Sequence, residues 1–303
     1  MRTGLIVLSM LFLNSLSAQT WMSLPTGENC PAMGQDEWVS DTLFGQMLSN
    51  VAEPALLHFA PIPRMQAKGA VVVIPGGGYW VQAWDYEGVD IARHLTGAGF
   101  HVFVLKHRLP GRVALPCKTH FALDDARNGM RLVRSLADSL GFGPDKIALM
   151  GFSAGGHLAG SASVHPLEGD GSANGLARHS SRPDASILVY PVLSMDPDKS
   201  GHSGSQDNLL GKQPDAELMA YYNIPTQVNA TTPPALLVHA ADDQGVPVHN
   251  SIRYVEALVQ HGVPADLRIY AAGGHGFGSA NDLVGPIHTW LEDAVAWLKN
   301  QGW

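Results

Sequence analysis

Charge and cysteine are both scarce in this chain. Only 15% of its 303 residues are charged, and 19 Lys+Arg stand against 27 Asp+Glu for a net charge of −8. The high apolar content that accompanies so little charge excludes a solvated disordered chain. The shortage of basic residues excludes a protein whose main task is gripping nucleic-acid phosphates. Two cysteines, Cys30 and Cys117, are too few for a disulfide scaffold and lack zinc-type spacing. Whether they pair is open at this level. Beyond the first residues no apolar segment is long enough to span a bilayer, and no internal repeat or low-complexity tract interrupts the chain.

What is present is a large apolar fraction, 45%, enough to bury a sizeable core, with 33 glycines and 20 prolines to make tight loops. The first 18 residues have the form of an export signal. Arg2 supplies positive charge, residues 4–13 form an apolar run too short for a comfortable span, and small residues lead to a cut after Ala18. Residues 19–303 are then expected to be one soluble domain, periplasmic or secreted, where cysteines can pair.

Residues 19–50 show no clear periodicity. Strand-like and helix-like segments then alternate. Residues 70–74 (AVVVI), 100–105, 146–150, 186–190, 235–239 and 265–270 have strand character. Residues 87–96, 121–140, 154–163, 248–260 and 283–300 have helical spacing. Such alternation predicts an α/β fold, a doubly wound and mostly parallel sheet with helices on both faces. Residues 194–234 lack strand periodicity and are too long for an ordinary connection, which predicts a lid-like or flexible insertion.

Gly151-Phe152-Ser153-Ala154-Gly155 follows one predicted strand directly and opens a predicted helix. A sharp strand-to-helix turn needs small neighbours and lifts its central hydroxyl above the sheet, beside free helix-terminal N–H groups. Ser153 is therefore the expected nucleophile. Its base should come late in the chain, and His275, flanked by glycines after residues 265–270, suits that order better than the other 13 histidines. His202 in the long insertion reads either as a substrate contact or, preferably, as a surface histidine. The acid should follow an earlier strand. Asp243 is favoured over Asp242, whose part would be to cap the loop.

Negative charge on an attacked carbonyl needs preorganised donors. Ala154 N–H is one, and the glycine loop Pro75-Gly76-Gly77-Gly78-Tyr79 offers Gly77 or Gly78 as the other. No Gly-Lys-Ser/Thr or Gly-x-Gly-x-x-Gly accompanies those glycines, which argues against nucleotide binding. Tyr79, Trp80 and Trp84 suit a flat wall for a sugar ring, or ordinary core packing.

Over roughly residues 55–300 these motifs resemble the α/β-hydrolase superfamily, and more narrowly exported bacterial carbohydrate esterases of the acetylxylan-esterase type. The resemblance rests on PGGGY at 75–79, VLKHRLP at 104–110, GFSAGGHLAG at 151–160, NLLG at 208–211, TPPALLVHAADD at 232–243, VPVHNS at 246–251 and GGHGFG at 273–278. One departure is Pro75, which stands where related esterases carry histidine before the glycines. The resemblance implies a cofactor-free Ser-His-Asp esterase, removing acetyl groups from an acylated oligo- or polysaccharide through an acyl-enzyme. Alternatives are a feruloyl or other carboxylesterase, a prolyl-oligopeptidase-type peptidase, for which the chain leaves no room for the usual extra domain, and a non-catalytic binding module.

Overall fold

The computed structural model describes residues 19–26, 34–62, 64–114, 117–172, 175–196 and 201–303. The expected leader and Cys30 lie outside the described residues; Cys117 is disulfide-bonded. The strands are β1 Gln19–Ser23, β2 Glu37–Asp41, β3 Gly45–Asn50, β4 Ala55–Phe59, β5 Ala70–Ile74, β6 His101–Lys106, β7 Ile147–Phe152, β8 Ala185–Val189, β9 Ala235–Ala240 and β10 Ala265–Tyr270. The helices are α1 Asp90–Gly97, α2 Lys118–Leu140, α3 Ser153–Val164, α4 Ser203–Leu210, α5 Ala216–Tyr221, α6 His249–Gln260 and α7 Trp290–Asn300.

Eight strands form one sheet in the order β1-β4-β6-β5-β7-β8-β9-β10. From β6 to β10 every pairing is parallel, whereas β1 pairs with β4 and β4 with β6 in antiparallel fashion. Successive side chains of a strand point to opposite faces, and the two cores follow that alternation. Val72 and Ile74 of β5 join Phe103, Leu105, Leu149 and Leu237 on one face. Val71 and Val73 join Val102, Val104, Met150 and Val238 on the other. The first layer is closed by α2, α3 and α6 through residues such as Met130, Leu158 and Leu258. The second is closed by α1 and α7 through Ile91, Leu95, Trp290 and Leu298. Because both faces are covered, the central strands are continuous apolar runs.

The structure departs from sequence expectation in three places. Residues 19–50 contain β1, β2 and β3. β1 is the sheet edge, and most of β1 and β2 is solvent-exposed, so no buried face imposed a period on them. The last helix begins at Trp290 instead of residue 283, because Gly285 takes φ +101° and Pro286 opens a separate short turn. Residues 201–234 of the expected insertion carry α4 and α5, and Leu209, Leu210 and Ile224 are packed into the first core layer. Among the described residues no helix is long and apolar enough to cross a membrane.

Candidate active site

The turn from β7 into α3 is built by close approach. A Cβ on Gly151 would overlap the Gly155 carbonyl, and one on Gly155 would overlap the carbonyl oxygens of Ile74 and Pro75. Glycine at both positions lets the chain fold tightly against β5. Between them Ser153 takes φ +51°, a left-handed conformation that costs of order 1–3 kcal/mol in a non-glycine residue. That cost is met by the surrounding packing, and it leaves the hydroxyl at the start of α3, where the first N–H groups lack intrahelical acceptors.

Ser153 Oγ lies 2.9 Å from His275 Nε2, and His275 Nδ1 lies 2.7 Å from Asp243 Oδ2. A carboxylate only accepts, so Nδ1 carries the proton and Nε2 is left as acceptor for the serine hydroxyl. Asp243 Oδ1 accepts the N–H groups of Gly245 at 2.8 Å and Val246 at 2.7 Å. His239 Nε2 stands 3.3 Å from Asp243 Oδ2 at the buried end of β9. Burial alone would raise the pKa of Asp243. Hydrogen bonds from His239, His275 and the Val246 N–H, with the field of His275, outweigh burial and hold the carboxyl well below the usual carboxylate range. Asp242 turns the other way and accepts the Gly274 N–H at 2.8 Å.

The glycine loop after β5 comes over Ser153 from the opposite side. Gly77 and Gly78 line a cavity of about 270 Å³ together with Ser153, His275 and His202. Among the described residues their N–H groups donate to no protein acceptor, whereas the Gly76 N–H is taken up by Glu87 Oε2 at 2.7 Å. The loop is pinned without a histidine at position 75. Tyr79, at φ +59°, reaches His157 Nδ1 at 2.7 Å, and His157 Nε2 donates to the Tyr222 carbonyl at 2.9 Å.

The aromatic wall expected from Tyr79, Trp80 and Trp84 does not line this cavity. Tyr79 is buried in the first core layer, with its hydroxyl bonded to His157. Trp84 is buried too, stacked on Trp21 with ring centroids 5.5 Å apart. Trp80 is exposed, with the Arg112 guanidinium 3.8 Å from its ring centroid. The apolar side of the cavity is instead Phe44, Met47, Val81 and Ala83. Phe44 and Met47 belong to the β2–β3 hairpin, a segment with no periodic signal. His202 is no surface histidine. It is half-buried, its Nδ1 accepts the Ser205 N–H at 3.1 Å to cap α4, and it lines the cavity. Burial first, then the nearby His275, lowers its pKa against the opposing pull of Asp243.

Comparison with known proteins bears on this geometry. A family model described as BD-FAE matches residues 59–258. An acetylxylan esterase from Xylanibacter ruminicola is 35% identical over 251 residues, which cover 79% of this chain and 47% of that protein. Endo-1,4-beta-xylanase B of Butyrivibrio fibrisolvens is 33% identical over 228 residues, covering 75% of this chain and 35% of that one. The chain thus spans about half the length, or less, of these two relatives. The crystal structure of an acetyl ester-xyloside bifunctional hydrolase from Caldicellulosiruptor lactoaceticus superposes with a TM-score of 0.75 at 35% identity, over 82% of this chain and 89% of that one. The sheet order and these neighbours make the fold that of an α/β-hydrolase.

Proposed function

This chain belongs to the BD-FAE family, and on that premise we propose that it is a serine carboxylic-ester hydrolase that deacetylates an acylated plant-type polysaccharide or its fragments. The observation carrying the proposal is the pair of short contacts, 2.9 Å from Ser153 Oγ to His275 and 2.7 Å from His275 to Asp243. In the proposed reaction His275 Nε2 takes the Ser153 proton as Oγ attacks the ester carbonyl. The oxygen that becomes negative is met by the Ala154 N–H and by Gly77 or Gly78. His275 then protonates the departing sugar oxygen, and the acetyl group stays on Ser153. Water activated by the same imidazole releases acetate and restores the hydroxyl. Asp243 keeps the imidazole in the productive tautomer and balances its transient charge.

Support for a short acyl group comes from the small cavity with its apolar wall. Support for a carbohydrate alcohol comes from relatives named as an acetylxylan esterase and a xylanase. The leader-like residues 1–18 support export to the periplasm or beyond, and residues 19–303 would then be the working domain, to whose cavity the 194–234 stretch contributes His202.

Replacement Ser153→Ala tests the proposal. Hydrolysis of 4-nitrophenyl acetate and of acetylated xylo-oligosaccharides should fall at least about 10³-fold while the thermal melt persists. Undiminished turnover by that variant would refute it.

A further inference from the structure

One buried carboxylate beside the site takes no part in the proton transfers. Glu87 is 4% exposed and sits just before α1. Its Oε2 accepts the Gly76 N–H at 2.7 Å, and its Oε1 accepts the Tyr190 hydroxyl at 2.8 Å. The Tyr190 hydroxyl in turn accepts the Gly278 N–H at 3.0 Å.

Each contact belongs to a different part of the site. Gly76 opens the loop carrying Gly77 and Gly78. Gly278 closes the loop that begins before His275. Tyr190 follows β8 at φ +37°, and its ring packs edge-on against His275 with centroids 5.1 Å apart. The loops after β5 and β8 therefore meet on the Glu87 side chain, and the Tyr190 hydroxyl links the loop after β10 to it. Tyr190 and Gly278 are distant from Glu87 in sequence. A carboxylate suits this place because it presents two acceptor oxygens and no donor, matching the two donors that reach it. Burial raises the Glu87 pKa, opposed by the Tyr190 and Gly76 hydrogen bonds and the field of His275.

We infer that Glu87 is a positioning residue for acyl transfer, tying the oxyanion loop through Gly76 to the histidine loop through Tyr190 and Gly278. The inference rests on the ester-hydrolase reading of Ser153 and His275. Its physical basis is that reacting groups misplaced by about 1 Å can lose about 10²-fold in rate. The separation between the donors and the imidazole is the quantity this carboxylate holds constant.

The experiment uses the full chain and three single variants, Glu87→Ala, Glu87→Gln and Tyr190→Phe, with the double variant E87A/Y190F. Steady-state kcat and KM on 4-nitrophenyl acetate are referred to the concentration of enzyme that a fluorophosphonate labels at Ser153, so unfolded protein does not count. Glu87→Ala should lower kcat about 100-fold and Tyr190→Phe about tenfold, each with KM within about twofold. Glu87→Gln keeps one acceptor for Gly76 and should recover most of the kcat lost in Glu87→Ala. The double variant should be little worse than Glu87→Ala alone, because the two residues act through one connection. Wild-type kcat in labelled Glu87→Ala, or losses that multiply in the double variant, would overturn the inference. Neither result touches the ester-hydrolase reading, which stands or falls with Ser153→Ala.

Discussion

Asp243 and Asp242 are adjacent, yet only Asp243 meets His275, at 2.7 Å, while Asp242 accepts the Gly274 N–H at 2.8 Å. The loop after β9 turns between them, so one carboxylate is buried beneath the imidazole and the other stays at the surface, bracing the histidine loop from outside. Neighbours in sequence thus hold unequal places beside His275.

That inequality is measurable. Asp243→Asn should lower kcat on 4-nitrophenyl acetate by about 10⁴-fold, because an amide that donates toward Nδ1 favours the wrong imidazole tautomer. Asp242→Ala removes one acceptor from an exposed loop and should cost only a few-fold. Equal losses in the two variants would contradict the assignment of the acid.

Stability should fall in mild acid. His157 is fully buried, and burial is the main cause that lowers its pKa from 6.5 to about 4, with His165 adding to the shift and the Tyr222 carbonyl opposing it. His107 is likewise lowered by burial to about 4, against the Arg108 carbonyl. Such a histidine takes up its proton in the unfolded chain before it does so in the folded one. Its contribution is complete above about pH 6.5 and drains away as pH falls toward 4, on the order of 3 kcal/mol for one histidine. Urea unfolding at several pH values should show that decline, and His157→Gln should flatten it. A midpoint independent of pH between 6.5 and 4 would rule the linkage out.

The hairpin wall should set acyl size. Met47 and Phe44 close the apolar side of a cavity of about 270 Å³. Met47→Ala enlarges it and should raise the ratio of kcat/KM for 4-nitrophenyl butyrate over the acetate, by about tenfold if the extra methylenes are accommodated. An unchanged ratio would place the acyl group elsewhere.

Much of the candidate site's geometry was legible in the chain because its parts are local. A glycine on each side of Ser153, a strand before and a helix after describe the strained turn without reference to anything distant. The aspartate and histidine motifs follow strand ends in the same way, and the parallel strands announced themselves as apolar runs because both sheet faces are covered.

What only the tertiary structure decided is which side chains face one another. Tyr79 and Trp84 have the composition of a sugar platform, but packing against His157 and Trp21 turned them inward. Phe44 and Met47 carry no pattern, since β2 is mostly exposed and the buried part of β3 is only the adjacent pair Leu48 and Ser49, too short to record a face in the sequence. The meeting of Glu87, in the connection from β5 to β6, with Tyr190, in the one after β8, joins residues from separate crossovers of the sheet. Local sequence determines the shape of each turn; the distance between two turns depends on how every strand between them packs, and no short stretch of residues encodes that sum.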